Sequence, residues 1–167
     1  MTAHHGPIAV PEFDAAPPAD AAAELVPCCG SRRWVSSLVK NRPYASLSRL
    51  TYASDGILAA LSWPDLLQAL LTVAEAPDQR AALGRVIAGG PAPQVRPGPD
   101  DHAFANARSS YFGRFGYPFL ICPSGLSGEE MLSALRSRLG NDPVAEREVV
   151  RGELTKVVRL RLGKAFC

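Results

Sequence analysis

Residues 127–141 read SGEEMLSALRSRLGN, a stretch that constrains the fold more tightly than any other. Ser127 stands three residues before Glu130, the spacing at which a hydroxyl caps a helix N-terminus and a carboxylate reaches back to the cap. Leu132, Leu135 and Leu139 then recur at spacings of three and four, which puts them on one face of a helix, and Gly140 ends it. The same grammar runs through most of the chain, while the strict apolar-polar alternation of a half-buried strand is rare. It predicts an all-α, single-domain helical bundle of about seven to eight helices.

The other helices read in the same way. SRRWVSSLVK opens on Ser31 as N-cap, carries Trp34, Val35, Leu38 and Val39 on one face, and stops before Asn41, Arg42 and Pro43. SLSRLTYASDGILAALS places Leu47, Leu50, Ile57, Leu58 and Leu61 inward, and SWPDLLQALLTVAEA opens with a Ser62 to Asp65 cap and a proline in the first turn. DPVAEREVVRGELTKVVRLRL starts from Asp142 with Pro143 at the first helical position. Residues 1–12, with their prolines, read as a flexible tail before a domain over 13–167. Within that domain the Gly- and Pro-rich residues 89–100 read as a mobile loop rather than a boundary.

Composition narrows the function classes. The chain has 167 residues, a length that buries a sizeable core without disulfides or metals. No apolar run approaches the roughly 20 residues of a membrane span. The net charge of +2 comes without a basic run or nucleic-acid-binding motif, so neither nucleic acid nor membrane is expected as partner. MTAHHGPIAVPEF lacks the apolar stretch of a signal peptide, and of the four cysteines Cys28 and Cys29 are adjacent and Cys167 is terminal; free thiols in the cytoplasm are expected. His4 and His5 do not make a metal site.

Two features ask for a ligand. In SSYFGRFGYPFLIC, residues 109–122, five aromatic residues are threaded through Gly113, Gly116 and Pro118, and PFLIC is left extended with backbone groups to satisfy. On the last helix, at about 100° per residue, Val150, Leu154, Val157 and Arg161 share a stripe and Arg159 points away. An inward Arg161 needs a carboxylate, carbonyls or a bound anion, or else snorkels to water. For Phe115 and Phe119 core packing is the plainer reading and a ligand wall the alternative.

CCGSRRW at 28–34, Arg42-Pro43, RFGYPF at 114–119, GLSGEEMLSALRSRLGN at 125–141 and the closing KVVRLRL, in this order and spacing, resemble the 2-oxo-4-hydroxy-4-carboxy-5-ureidoimidazoline (OHCU) decarboxylase family of urate degradation. The resemblance runs from Phe13 to Leu162 and implies an all-α, cofactor-free, metal-free lyase, commonly dimeric, that delivers (S)-allantoin from a small-molecule substrate. It implies substrate binding by Arg161, Pro77, Phe115, Phe119, Leu120 and Ile121. Cys28 and Cys29 match small buried positions of the family's Cys-Cys-Gly motif.

The departure is at the proton-handling residues. Where the family has a His-Pro pair, this chain has Ala76-Pro77, and RVIAGGPAPQVRPGPDDHAF supplies no glutamate where the family's catalytic one lies. A positioned acid or base is worth roughly 10²- to 10⁴-fold in rate. His102, the one histidine beyond the N-terminal tail, has Asp101 beside it and is the candidate replacement; a solvated histidine at a polar helix start is the plainer reading. Three functions follow: a divergent enzyme performing decarboxylation or a related lyase, cyclisation or isomerisation step on another molecule, as in specialised metabolism; true OHCU decarboxylation; or a non-catalytic binding subunit.

Overall fold

The computed structural model describes residues 6–73 and 103–167. Among these residues there are eight helices: α1 (Val10–Ala15), α2 (Pro18–Leu25), α3 (Arg32–Lys40), α4 (Leu47–Ala60), α5 (Trp63–Val73), α6 (Ala103–Phe115), α7 (Gly128–Arg138) and α8 (Pro143–Ala165). The all-α architecture is as the periodicity requires. None of the described helices is long and apolar enough to cross a membrane. The chain packs as two compact units, one of Met1–Thr72 with Thr155–Cys167, the other of Val73–Leu154, so that α8 contributes its first half to the second unit and its second half to the first.

In the first unit, Ser31 caps α3 by accepting from the Trp34 backbone N–H at 3.3 Å. The Trp34 ring is fully buried, and its indole N–H donates to Ser54 Oγ of α4 at 3.0 Å, which satisfies the one polar atom that burial would strand. Gly30 lies so close to α5 that a Cβ there would overlap Thr72 Oγ1. This close approach accounts for a glycine after the cysteine pair. Arg42 donates through Nη1 to the Phe13 and Ala16 carbonyls, each at 2.7 Å, while Asp14 accepts from the Tyr44 and Ala45 backbone N–H groups at 2.9 and 2.8 Å.

Within the stretch expected as a tail, residues 8 and 10 make backbone contacts with the C-terminal residues. Ile8 N–H donates to the Ala165 carbonyl and Cys167 N–H to the Ile8 carbonyl, both at 2.9 Å, and Val10 N–H donates to the Cys167 carbonyl at 3.0 Å. Val10 and Phe13 are buried, with the Phe13 ring edge-on to Phe166 at 5.1 Å. Pro11 stands in the first turn of α1, where a missing N–H costs nothing.

In the second unit the capping box of α7 is complete, with Ser127 Oγ accepting from Glu130 N–H at 3.1 Å and Glu130 accepting from Ser127 N–H at 2.8 Å. Leu135 is its buried leucine, while Leu132 and Leu139 are half-buried. Asp142 opens α8 by accepting from Val144 N–H at 3.0 Å. Between α6 and α7 the chain turns at Gly116, whose φ of +80° is a left-handed conformation that glycine adopts without strain, and runs outside helix or strand through Pro118 to Cys122, the stretch expected to be extended.

Along α8 the buried residues are Glu146, Val150, Leu154, Val158 and Leu162. Each step of four advances the helix by about 40°, whereas a step of three falls back by about 60°. The buried row follows the first ridge, so Val157 and Arg161 lie on its flank and are half-buried rather than central.

Candidate functional site

The segment Pro118–Cys122 is held from both sides by residues of the second unit. Arg138, on α7, donates from Nη1 to the Leu120 carbonyl at 2.7 Å, and Glu153, on α8, accepts from the Cys122 backbone N–H at 2.8 Å. Two of the groups that a strand-like piece leaves open are thus met by side chains. The Arg138 guanidinium lies over the Phe119 ring, 4.5 Å from its centroid.

Arg138 can be buried because Glu146 is buried with it. Its Nε donates to Glu146 Oε1 at 2.7 Å and its Nη2 pairs with the same oxygen at 2.5 Å, the two side chains being 9% and 0% exposed. Glu146 also accepts from the Tyr111 hydroxyl at 2.5 Å and the Asn141 amide at 2.9 Å. A buried carboxylate with this many donors is a satisfied structural anchor. Burial, and then the bond to Glu146, push the Tyr111 hydroxyl well above its ordinary value, so it stays a donor. Tyr117 is raised as well, chiefly by burial.

The anchored segment walls a cavity of about 170 Å³ lined by Phe119, Leu120 and Ile121 together with Phe104 and Arg108 of α6 and Met131 of α7. That is below the roughly 300–1,000 Å³ of sites for drug-sized ligands. The Phe104 and Phe119 rings meet edge to face at 6.5 Å. Phe119, Leu120 and Ile121 all line this one cavity. Phe115 does not line this cavity; it is half-buried and packs on Tyr111 at 4.6 Å and Tyr117 at 6.0 Å, closing the aromatic cluster behind the turn.

Arg161 belongs to the first unit. Its Nη1 donates to the Pro27 carbonyl at 3.1 Å and the Thr72 carbonyl at 3.4 Å, so of the partners its position demands it has carbonyls. Nearby, burial pushes the Cys28 and Cys29 thiols up to about 11, with the Arg161 charge only partly opposing the rise. Neutral, buried thiols fit packing rather than nucleophilic chemistry. Pro77, Asp101 and His102, together with Ala76 and the loop at 89–100, lie outside the described residues. Among the described residues no cluster of His, Cys, Asp or Glu could hold a metal ion.

The residues that sequence reasoning passed over are Arg138, Glu146, Glu153 and Arg108. Arg138 follows Met131 and Leu135 at seven and three residues, on one helical face, and Glu146 precedes Val150 by four. Both charges were therefore marked by apolar periodicity. Nothing in the sequence showed that they pair.

The family model for OHCU decarboxylase matches residues 14–163. The chain belongs to the OHCU decarboxylase family. It is 27% identical over 157 residues to the uric acid degradation bifunctional protein TTL of Arabidopsis thaliana, covering 83% of this chain and 45% of that protein. A 54-residue stretch is 44% identical to the 2-oxo-4-hydroxy-4-carboxy-5-ureidoimidazoline decarboxylase of Amia calva, covering 32% of this chain and 31% of that protein. In both alignments the matched part is less than half the length of the curated relative. A crystal structure of OHCU decarboxylase in the presence of (S)-allantoin superposes with a TM-score of 0.63 at 25% identity, over 84% of this chain and 94% of that one. An (S)-allantoin synthase structure shares the fold, with a TM-score of 0.70 at 20% identity over 96% of this chain and 54% of that one. An OHCU decarboxylase-like all-α fold is thus established for the chain by sequence and by structure.

Proposed function

We propose that this chain is a divergent, cofactor-free OHCU decarboxylase-like enzyme, acting on a small planar or carboxylated molecule taken into the cavity of the second unit. The observation that carries the reading is the Phe119–Ile121 segment, pinned by Arg138 and Glu153 against one side of a cavity of about 170 Å³. A backbone held in this way offers fixed amide partners to a heterocycle without reorganising on binding. Divergence is supported by Ala76 at the place of the family's His-Pro histidine. In this reading His102, with Asp101, supplies the acid or base, and His102→Ala lowers the rate on the true substrate by roughly 10²- to 10⁴-fold. Roles for Pro77 and for Arg161 as an anion partner rest on the family resemblance, as does a homodimer, and Arg161→Ala tests the former by loss of substrate affinity.

A second reading, OHCU decarboxylation itself, is favoured by the likeness to the structure solved in the presence of (S)-allantoin. A time course separates the two. OHCU is generated enzymatically, and (S)-allantoin is followed by circular dichroism with and without the protein. Absence of stereospecific acceleration by protein whose cavity still binds a hydantoin ring is the result expected of a divergent enzyme. Clear acceleration shifts the assignment to OHCU decarboxylase proper.

A further inference from the structure

We infer that Arg108 is the residue through which this cavity selects a carboxylated ligand over a neutral one, an assignment that rests on the cavity being the substrate site. Among the described residues lining the cavity it is the one charged side chain; the rest of the wall is Val73, Phe104, Pro118, Phe119, Leu120, Ile121, Pro123 and Met131. A single guanidinium on an apolar wall is poorly screened, so an anion placed beside it gains more than it would in open water.

The side chain is positioned for this. Arg108 lies one helical turn after Phe104 on α6, and its guanidinium sits over the Phe104 ring, 5.8 Å from the centroid. Phe104 is in turn set edge-on against Phe119, which belongs to the pinned segment. At that distance the ring is within cation–π range of the guanidinium and helps to hold the side chain by the cavity. The N–H donors radiate in the guanidinium plane, and a carboxylate takes two of them in parallel. A planar ureide ring resting by the Phe119–Ile121 backbone then has its amides met by that backbone and its carboxylate by Arg108, which lines the same cavity. Arg108 reads the charge and the backbone reads the ring.

The test uses two probes that share a ring and differ by one carboxylate, hydantoin and hydantoin-5-acetate. The chain has two methionines, Met1 and Met131, so the Met131 methyl resonance is an assignable reporter inside the cavity. The expected result is that both probes shift the Met131 methyl, that hydantoin-5-acetate binds about tenfold or more tightly than hydantoin, and that Arg108→Gln abolishes the difference while leaving hydantoin affinity unchanged. Arg108→Lys, which keeps the charge but not the fork, retains part of it, and far-ultraviolet circular dichroism verifies that each variant is folded. Preference that survives Arg108→Gln, with Met131 still responding, overturns the role of Arg108 and leaves the cavity as the site. Failure of either probe to move the Met131 methyl at saturating concentration overturns the cavity reading and the role of Arg108 with it.

Discussion

Glu146 and Arg138 set the terms at the scale of single residues. Removing one partner of a buried, hydrogen-bonded ion pair leaves the other charge uncompensated, so Arg138→Met is expected to cost about 3–5 kcal/mol in denaturant unfolding. Arg138→Met combined with Glu146→Leu recovers part of that loss, because no lone charge remains. Binding does not recover with it, since the Leu120 carbonyl still lacks its donor. The thiols give a second prediction. Burial raises Cys28 and Cys29 from 9.0 to about 11, and a folded-state value above the unfolded one favours folding while the thiol is neutral. That contribution is complete below about pH 9 and is lost as pH climbs toward about 11. Unfolding midpoints measured from neutral to alkaline pH should fall over this window, and less so in Cys28→Ala. At neutral pH a thiol reagent should modify exposed Cys167 quickly and the buried cysteines only after denaturation.

Helices and their caps were the most legible part of the chain, because a cap is a local event. Ser31, Ser127 and Asp142 each accept from the backbone that their spacing designates, and Ser127→Ala should cost about 1 kcal/mol in thermal or denaturant unfolding. Packing between elements was less readable. Gly30 looks like one more loop glycine until α5 is placed against it, where any side chain meets Thr72 Oγ1. Gly30→Ala should therefore destabilise by about 1–3 kcal/mol, and Thr72→Ala in the same chain should relieve part of it. The stripe on α8 slipped for a related reason: periodicity alone admits steps of three or four. Only the packed neighbours choose the ridge, and they choose Val158 and Leu162 over Val157 and Arg161. The contacts of Ile8 and Val10 were not readable because their partners, Ala165 and Cys167, lie more than 150 residues away in sequence.

At the scale of the whole molecule, family membership was readable from the order of short motifs, none of which identifies the family alone. Part of the cavity wall was readable. Phe119, Leu120 and Ile121 could be singled out because an extended run in a helical chain must find hydrogen-bond partners. That Arg138 and Glu153 supply two of them depends on contacts 18 and 31 residues away, which no local pattern encodes. What results is a second unit whose polar interior, Arg138 with Glu146, Tyr111 and Asn141, fixes one cavity wall before any ligand arrives. The most direct measurement is a crystal structure of the protein soaked with hydantoin-5-acetate at saturating concentration. The ring should lie in the cavity of the second unit with its amides on the Phe119–Ile121 backbone; a ring bound elsewhere, or an empty cavity, contradicts the assignment of this site.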